Sequence, residues 1–284
     1  MNKKLSTLIL WIGFYLLKAQ MPNTDLWLFR IEHSKQGISF VKPRNITSRA
    51  GYDNQPSFSS DNKKIYYVSV RDDKQADIYF YDLKSEKIIQ FTQTPISEYS
   101  PAETPDGKFI SSVVVEQDSA QRIHFIDKIT AIHEKRFDYD SVGYCHFLNT
   151  DTCIYYKLTE PHSLRYNNGK EDKWLCIAPT RCFKSVSRNT LIYGLKDSSS
   201  VVFYKYNFLL HRGEKFAVYP SLNEDIVWNP IWGLIKSEEA KLLRFDEQTK
   251  QWVLLADLAA EGIKKITRFN FDSDNKYLVV VDNL

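Results

Sequence analysis

Several signatures of catalysis are missing from these 284 residues. There is no G-x-S-x-G, so no nucleophile elbow, and no glycine-rich loop of the kind that cradles phosphate. None of the six histidines, His33, His124, His133, His146, His162 and His211, forms an H-E-x-x-H or other helical metal pair. Cysteine is scarce, and Cys145-His146 has no second Cys/His pair at ligand spacing, which excludes a zinc signature. Neither a metal nor a cofactor is expected. Basic clusters are also lacking and the formal net charge is only +3, so the electrostatic footprint for nucleic acid or an anionic membrane is absent.

Long apolar runs are missing too. The one stretch of that kind, Leu5 to Leu17, falls short of the ~20 residues that a spanning helix needs. It follows Lys3 and Lys4 and precedes Lys18-Ala19-Gln20, which is the pattern of a secretory signal peptide over residues 1–19, rather than of a retained anchor. Leu17 is bulkier than the usual residue two positions before Ala19. No Cys follows the run, so no lipid anchor is expected there. Cleavage removes Lys3, Lys4 and Lys18 and leaves a formally neutral chain, without membrane insertion, in the periplasm or outside the cell.

What is plentiful is aromatic: seventeen Tyr, seventeen Phe and six Trp, beside only ten Gly and ten Pro. Such residues fit the half-buried face of a pleated sheet. They recur in order. "SSDNKKIYYVS", "TPDGKFISSVV" and "LNTDTCIYYKL" place Asp61, Asp106 and Asp151 at equal intervals, each between a polar turn and an alternating strand. Weaker copies are "SVSRNTLIYGL" and "FDSDNKYLVVV", and "DIVWNPIWGLI" fills a remaining slot without the turn Asp. A second hairpin follows each copy, as in "DIYFYDLKSEKIIQFT", "RIHFIDKITAIHEKRF", "VVFYKYNFLLHRGEKF" and "KLLRFDEQTKQWVLL". Four short antiparallel strands per unit of about 40–45 residues is the size of a propeller blade.

The chain ends fit the same scheme. Asp25 to Thr47 reads as a second half with no first, and "NKYLVVVDNL" as a first half with no second. The expectation is therefore an all-β, six-bladed propeller of four-stranded antiparallel blades over residues 20–284, its last blade shared by the two termini, and a monomer. A solenoid would instead need capping units at both ends.

"PSFSSDNKKIYYVS" and "SPAETPDGKFISSVV", each followed by a "DIYFYDL"-like strand, resemble the TolB-type (WD40-like) propeller repeat. That repeat occurs in periplasmic TolB and in propeller domains of prolyl-oligopeptidase and dipeptidyl-peptidase relatives. The resemblance extends over residues 20–284, is best in the first two units, and is to the propeller portion alone. Its matching residues, Pro56, Ser59, Asp61, Pro101, Pro105, Asp106 and Gly107, build turns, so the resemblance speaks to fold before function.

In a propeller the connections entering the innermost strands gather at one mouth of a central channel. Here they read "GYDNQP", "SEYSP", "DYDSVGY", "APTRC", "SLNEDIVWNP" and "IKKITRF". They offer Tyr52, Asp53, Glu98, Tyr99, Tyr139, Asp140, Arg181, Glu224, Asp225 and Arg268 as binding candidates, aromatic and charged groups suited to a peptide, a sugar or a cation. The bland reading makes them solvated turn residues. Export permits disulfides, with Cys145–Cys153 across a hairpin at Asn149 and Cys176–Cys182 around Pro179 as local pairings; four buried thiols are the alternative. Lone strand histidines such as His124 and His146 read as packed residues, and the turn Asp lacks the Ser/Gly/Trp surroundings of a sialidase box. No catalytic residue is assigned. The function expected is that of an exported, non-enzymatic binding or scaffold protein taking an envelope protein or peptide on a propeller face, as the resemblance implies. A lactonase- or cyclase-type propeller enzyme and a glycan-binding module are the alternatives.

Overall fold

The computed structural model describes residues 21–34, 37–71 and 75–284; the expected leader, residues 1–19, lies outside them. Among the described residues there are only strands, turns and one 3-10 turn at Ala259–Glu261. None of their helices is long and apolar enough to cross a membrane. The all-β expectation holds, with sets of four antiparallel strands in the manner of a propeller.

Two strands, β1 (Thr24–Ser34) and β2 (Gly37–Asn45), open the described chain. The first full set is β3 (Tyr52–Phe58), β4 (Lys64–Val70), β5 (Ala76–Asp82) and β6 (Lys87–Gln90). The next is β7 (Ser97–Glu103), β8 (Phe109–Val115), β9 (Gln121–Asp127) and β10 (His133–Lys135). The third comprises β11 (Val142–Phe147), β12 (Cys153–Lys157), β13 (Ser163–Asn167) and β14 (Asp172–Ile177). The fourth has β15 (Pro179–Ser187), β16 (Thr190–Lys196), β17 (Val201–Asn207) and β18 (Arg212–Tyr219). The fifth has β19 (Ile226–Asn229), β20 (Gly233–Glu238), β21 (Lys241–Asp246) and β22 (Gln251–Asp257), and β23 (Ile266–Phe271) and β24 (Tyr277–Asn283) end the chain.

The terminal strands pair as the two half-units suggested. β1 runs antiparallel to β24 from Thr24↔Asn283 to Arg30↔Tyr277, giving the order β23-β24-β1-β2. One difference from six separate sheets appears here. A single parallel bridge, Thr24↔Tyr52, joins this set to the first full set, making one eight-stranded sheet beside four of four strands. The cause is local: Thr24 N–H donates to the Gly51 carbonyl at 2.9 Å, and Thr24 Oγ1 donates to the Asp53 carbonyl at 2.8 Å.

Turn chemistry sets the repeat, although not always through the expected residue. Asp61 accepts hydrogen bonds from Ser59 Oγ and the Lys63 amide, and Asp106 from Thr104 Oγ1 and the Lys108 amide. Asp151 does neither; it pairs outward with Arg136, and Asn149 accepts from the Asp151 and Thr152 amides instead. Asn229 does the same for Ile231 and Trp232 in the unit that lacks the turn Asp, and Asp272 for Lys276 and Tyr277 at the chain end. A left-handed backbone follows directly after the cap at Asn62 and Gly107, and three residues after Asp272 at Asn275, where Asn and Gly are the least strained choices. The outer hairpins carry their own acceptors, Asp82, Asp127, Asn207 and Asp246, each bonding amides two or three residues on.

Apolar clusters lie between neighbouring sets. Leu26, Leu28, Val279 and Val281 pack on Ile65, Tyr67, Tyr79 and Tyr81 of the first full set. On the opposite face of the same terminal strands, Phe29, Leu278 and Val280 pack on Ile235 and Leu242 of the fifth. Alternation along β24 therefore serves two interfaces at once, and each fully buried aliphatic side chain contributes about 1.5–3 kcal/mol. The first strands of the sets lie side by side, with β3 next to β7 and β23, and β19 next to β15 and β23.

The two local disulfides that export would permit are not formed, and all four cysteines are free. Register explains the first pair: Cys145 stands opposite Tyr155 and Cys153 opposite Phe147. Such diagonal positions lie about 7–8 Å apart, beyond ordinary disulfide reach. Cys176 faces Leu164 and packs in one core cluster, whereas Cys182 sits in the irregular start of β15 and packs in the next.

Candidate binding site in the central cavity

The first strands of the sets surround a cavity with three connected stretches. The mouth, about 470 Å³, is lined by Met21, Tyr52, Gln55, Tyr144, Arg181 and Arg268. A narrow waist of about 150 Å³ shares Tyr144, Arg181 and Arg268 with it and adds His146, Lys184 and Asn270. Below the waist, about 420 Å³ is lined by Ser57, Glu103, His146, Lys184 and Trp228, among others.

Four of the expected residues meet at the mouth. Arg181 Nη2 donates to both oxygens of Asp225 at 2.9 and 2.8 Å, and Arg268 Nη1 donates to Asp225 Oδ1 at 2.8 Å. The Arg181 amide donates to Glu224 Oε2 at 2.8 Å, and Lys196 approaches the other Glu224 oxygen at 3.5 Å. One buried carboxylate thus holds two guanidiniums in fixed orientation, at ordinary charge-assisted distances. Tyr52 stands close by: burial pushes its hydroxyl up to about 12, with the Arg268 charge opposing. Tyr99 lines a side recess of the mouth with Tyr52 and Tyr144.

The remaining candidates are turned elsewhere. Asp53 is fully buried and accepts from Ser69 Oγ at 2.6 Å and Arg49 Nη1 at 3.1 Å, tying β3 to β4 and to the preceding turn. Glu98 is fully buried as well, accepting from Thr92 Oγ1 at 2.6 Å and Thr94 Oγ1 at 2.5 Å. Burial pushes its carboxyl up to about 7. Tyr139 stacks on Tyr155 at 4.4 Å and on Phe137 at 4.8 Å, inside an apolar cluster. Asp140 is exposed and takes a hydrogen bond from Ser141.

Sequence reasoning missed Tyr144, His146 and Lys184. Tyr144 lies under the Arg268 guanidinium, 5.8 Å from ring centroid to Cζ. It belongs to the "DYDSVGY" connection, and two-residue periodicity from Tyr144 puts His146 on the same strand face. His146 Nε2 lies 2.7 Å from Ser185 Oγ; burial, and then the Lys184 charge, push its pKa down to about 3. His124, the other histidine expected within a strand, lies with Nε2 2.8 Å from Glu116 Oε1, as a structural residue would. Among the described residues, no group of three or more His, Cys, Asp or Glu is placed to hold a metal ion.

No family model and no curated protein matches the sequence. Solved structures are similar in fold. TolB from Acinetobacter baumannii superposes with a TM-score of 0.60 at 14% identity, over 92% of this chain and 63% of that one. The chain thus spans less than two thirds of that protein's length. A protein assigned as TolB from Agrobacterium tumefaciens gives 0.69 at 10% identity, covering 93% and 99%. A gluconolactonase from Xanthomonas campestris gives 0.63 at 11% identity, covering 94% and 99%. At such identities the likeness is one of fold, and it extends to TolB β-propellers and to an enzyme alike.

Proposed function

We propose that the chain closes into a six-bladed ring through the β1–β24 pairing and acts, after export, as a non-enzymatic binding protein. It takes a protein or peptide partner at the cavity mouth, in the periplasm or outside the cell. The observation that carries this reading is Asp225 held by Arg181 and Arg268 beside Tyr52 and Tyr144. A rigid, partly apolar rim with oriented donors suits recognition of a chain segment. The fold likeness to TolB structures supports it.

The gluconolactonase likeness favours a second reading, in which the cavity is catalytic. The chemistry at hand serves that reading less well. Asp225 is neutralised by two arginines, and Asp53 and Glu98 face away from the cavity. The His146–Ser185 contact has the outline of a base and nucleophile. Yet an imidazole pushed down to about 3 is a weak base near neutral pH, and among the described residues no carboxylate orients it.

The test is a pull-down from envelope extract with the tagged mature chain, beside an Arg268→Glu/Tyr52→Ala double variant. A partner retained by the wild type and lost by the variant is the expected result. Turnover of a lactone panel by the wild type, without any such partner, would overturn the reading.

A further inference from the structure

The lining of the waist carries charge of one sign. It holds Arg181, Lys184 and Arg268, and no Asp or Glu. Asp225 stands behind the two arginines with both its oxygens engaged. Lys184 makes no ion pair and no side-chain hydrogen bond among the described residues, although burial pushes its pKa down. The Asp225 charge reaches it, but that carboxylate is already shared by Arg181 and Arg268, so a half-buried ammonium with no carboxylate in contact leaves the waist short of negative charge.

The neutral groups around it point the same way. Gln55 Oε1 accepts from the Ser100 amide at 2.6 Å, and Asn270 Oδ1 from the Phe271 amide at 3.0 Å. With both carbonyl oxygens taken by backbone N–H groups, each amide keeps its NH2 to offer to the cavity. Within the waist lining Lys184, Arg268, Gln55 and Asn270 therefore present donors with no carboxylate among them, while Glu103 in the stretch below is held by Lys128. The waist, at about 150 Å³, holds roughly five waters at ~30 Å³ apiece, enough for the end of a side chain or of a chain but not for a folded loop.

We propose that the waist is a binding site for a single carboxylate, carried by a peptide that enters from the mouth and places its C-terminus or a Glu or Asp side chain against Lys184 and Arg268. The peptide character of this ligand rests on the partner-binding reading above; the anion site rests on the waist alone. The carboxylate supplies the contact that Asp225, held by two arginines, does not give Lys184, and Tyr52 and Tyr144 at the mouth flank the backbone that follows it.

The experiment is calorimetric titration of the mature chain with acetyl-tetraglutamate and with acetyl-tetraglutamine amide. The acidic peptide should bind at least tenfold more tightly, with affinity falling as salt rises. Lys184→Met should lose that tenfold and Lys184→Arg should keep most of it, while Lys184→Met without peptide melts no lower than the wild type. Equal affinity for the two peptides, or undiminished binding by Lys184→Met, would sink the proposal. Inorganic phosphate binding more tightly than the acidic peptide would overturn the carboxylate assignment. Selective, Lys184-dependent binding of acetyl-tetraglutamate upholds the site even where the envelope pull-down recovers nothing, which would end only the partner reading. A partner recovered through the mouth while acetyl-tetraglutamate is ignored would do the reverse.

Discussion

On one side of the cavity the first strands carry Asp53 and Glu98; on the other they are preceded or joined by Asp225 and Arg268. All four stand near the start of their units, yet the first two acids are structural and Asp225 belongs to the mouth. The difference lies in what the neighbouring strands and turns supply. Ser69 and Arg49 reach Asp53, and Thr92 and Thr94 reach Glu98, so both carboxylates are drawn into the sheet. Asp225 meets Arg181 and Arg268 from the sets on either side. A charged residue at the head of an inner strand thus builds a blade or a site according to its neighbour's donor.

The largest expected effect would break the structural half of that contrast. Asp53→Ala strands a partly buried guanidinium and empties a satisfied cluster, at a cost of about 4 kcal/mol. Chemical denaturation should show a markedly lower midpoint, while the folded fraction keeps its affinity for acetyl-tetraglutamate. Asp225→Ala comes next, at about 3 kcal/mol, because Arg181 and Arg268 are left facing each other at a partly exposed rim. It should also alter peptide affinity, and a variant that changed stability alone would place Asp225 with Asp53.

Glu98 sharpens the comparison through pH. Its folded pKa, pushed up by burial to about 7 from 4.5, means that the folded state holds the proton more tightly than the unfolded one. The stabilising contribution is full below about pH 4.5 and is lost as pH rises towards 7, about 3 kcal/mol at most. His133, 3.6 Å away, runs in the opposite sense: burial pushes it down to about 4, so its contribution fades as pH falls through the same window. The gap in melting temperature between wild type and Glu98→Gln should therefore change between pH 4.5 and 7, and a gap constant with pH would contradict a raised Glu98. The smallest effect is Arg44→Ala, which breaks the exposed Arg44–Glu86 pair for about 0.5 kcal/mol and leaves peptide binding untouched.

The turns were the most legible part of the fold. Asp61 and Asp106 cap the hairpins as their local patterns suggest, and Asp25–Thr47 and the C-terminal strand pair as two halves of one unit. Asn149 was placed at a hairpin but not as its cap, and Asn229 was passed over, because an amide oxygen accepts the same backbone hydrogen bonds as a carboxylate while the pattern followed Asp alone. The site was legible only as a neighbourhood. Arg181, Glu224, Asp225 and Arg268 came together as their positions suggested, whereas Tyr139 went into a core cluster and Lys184 came out of a strand into the waist.

By itself the sequence determined what depends on contacts within a unit: which residues turn, which alternate, and which ends must find each other. Turn hydrogen bonds span only a few residues, and burial follows a two-residue period, so both are written along the chain. Only the tertiary structure decided which charges face the cavity and which cysteines stay apart, because those outcomes depend on donors, register and packing contributed by strands and turns elsewhere in the fold.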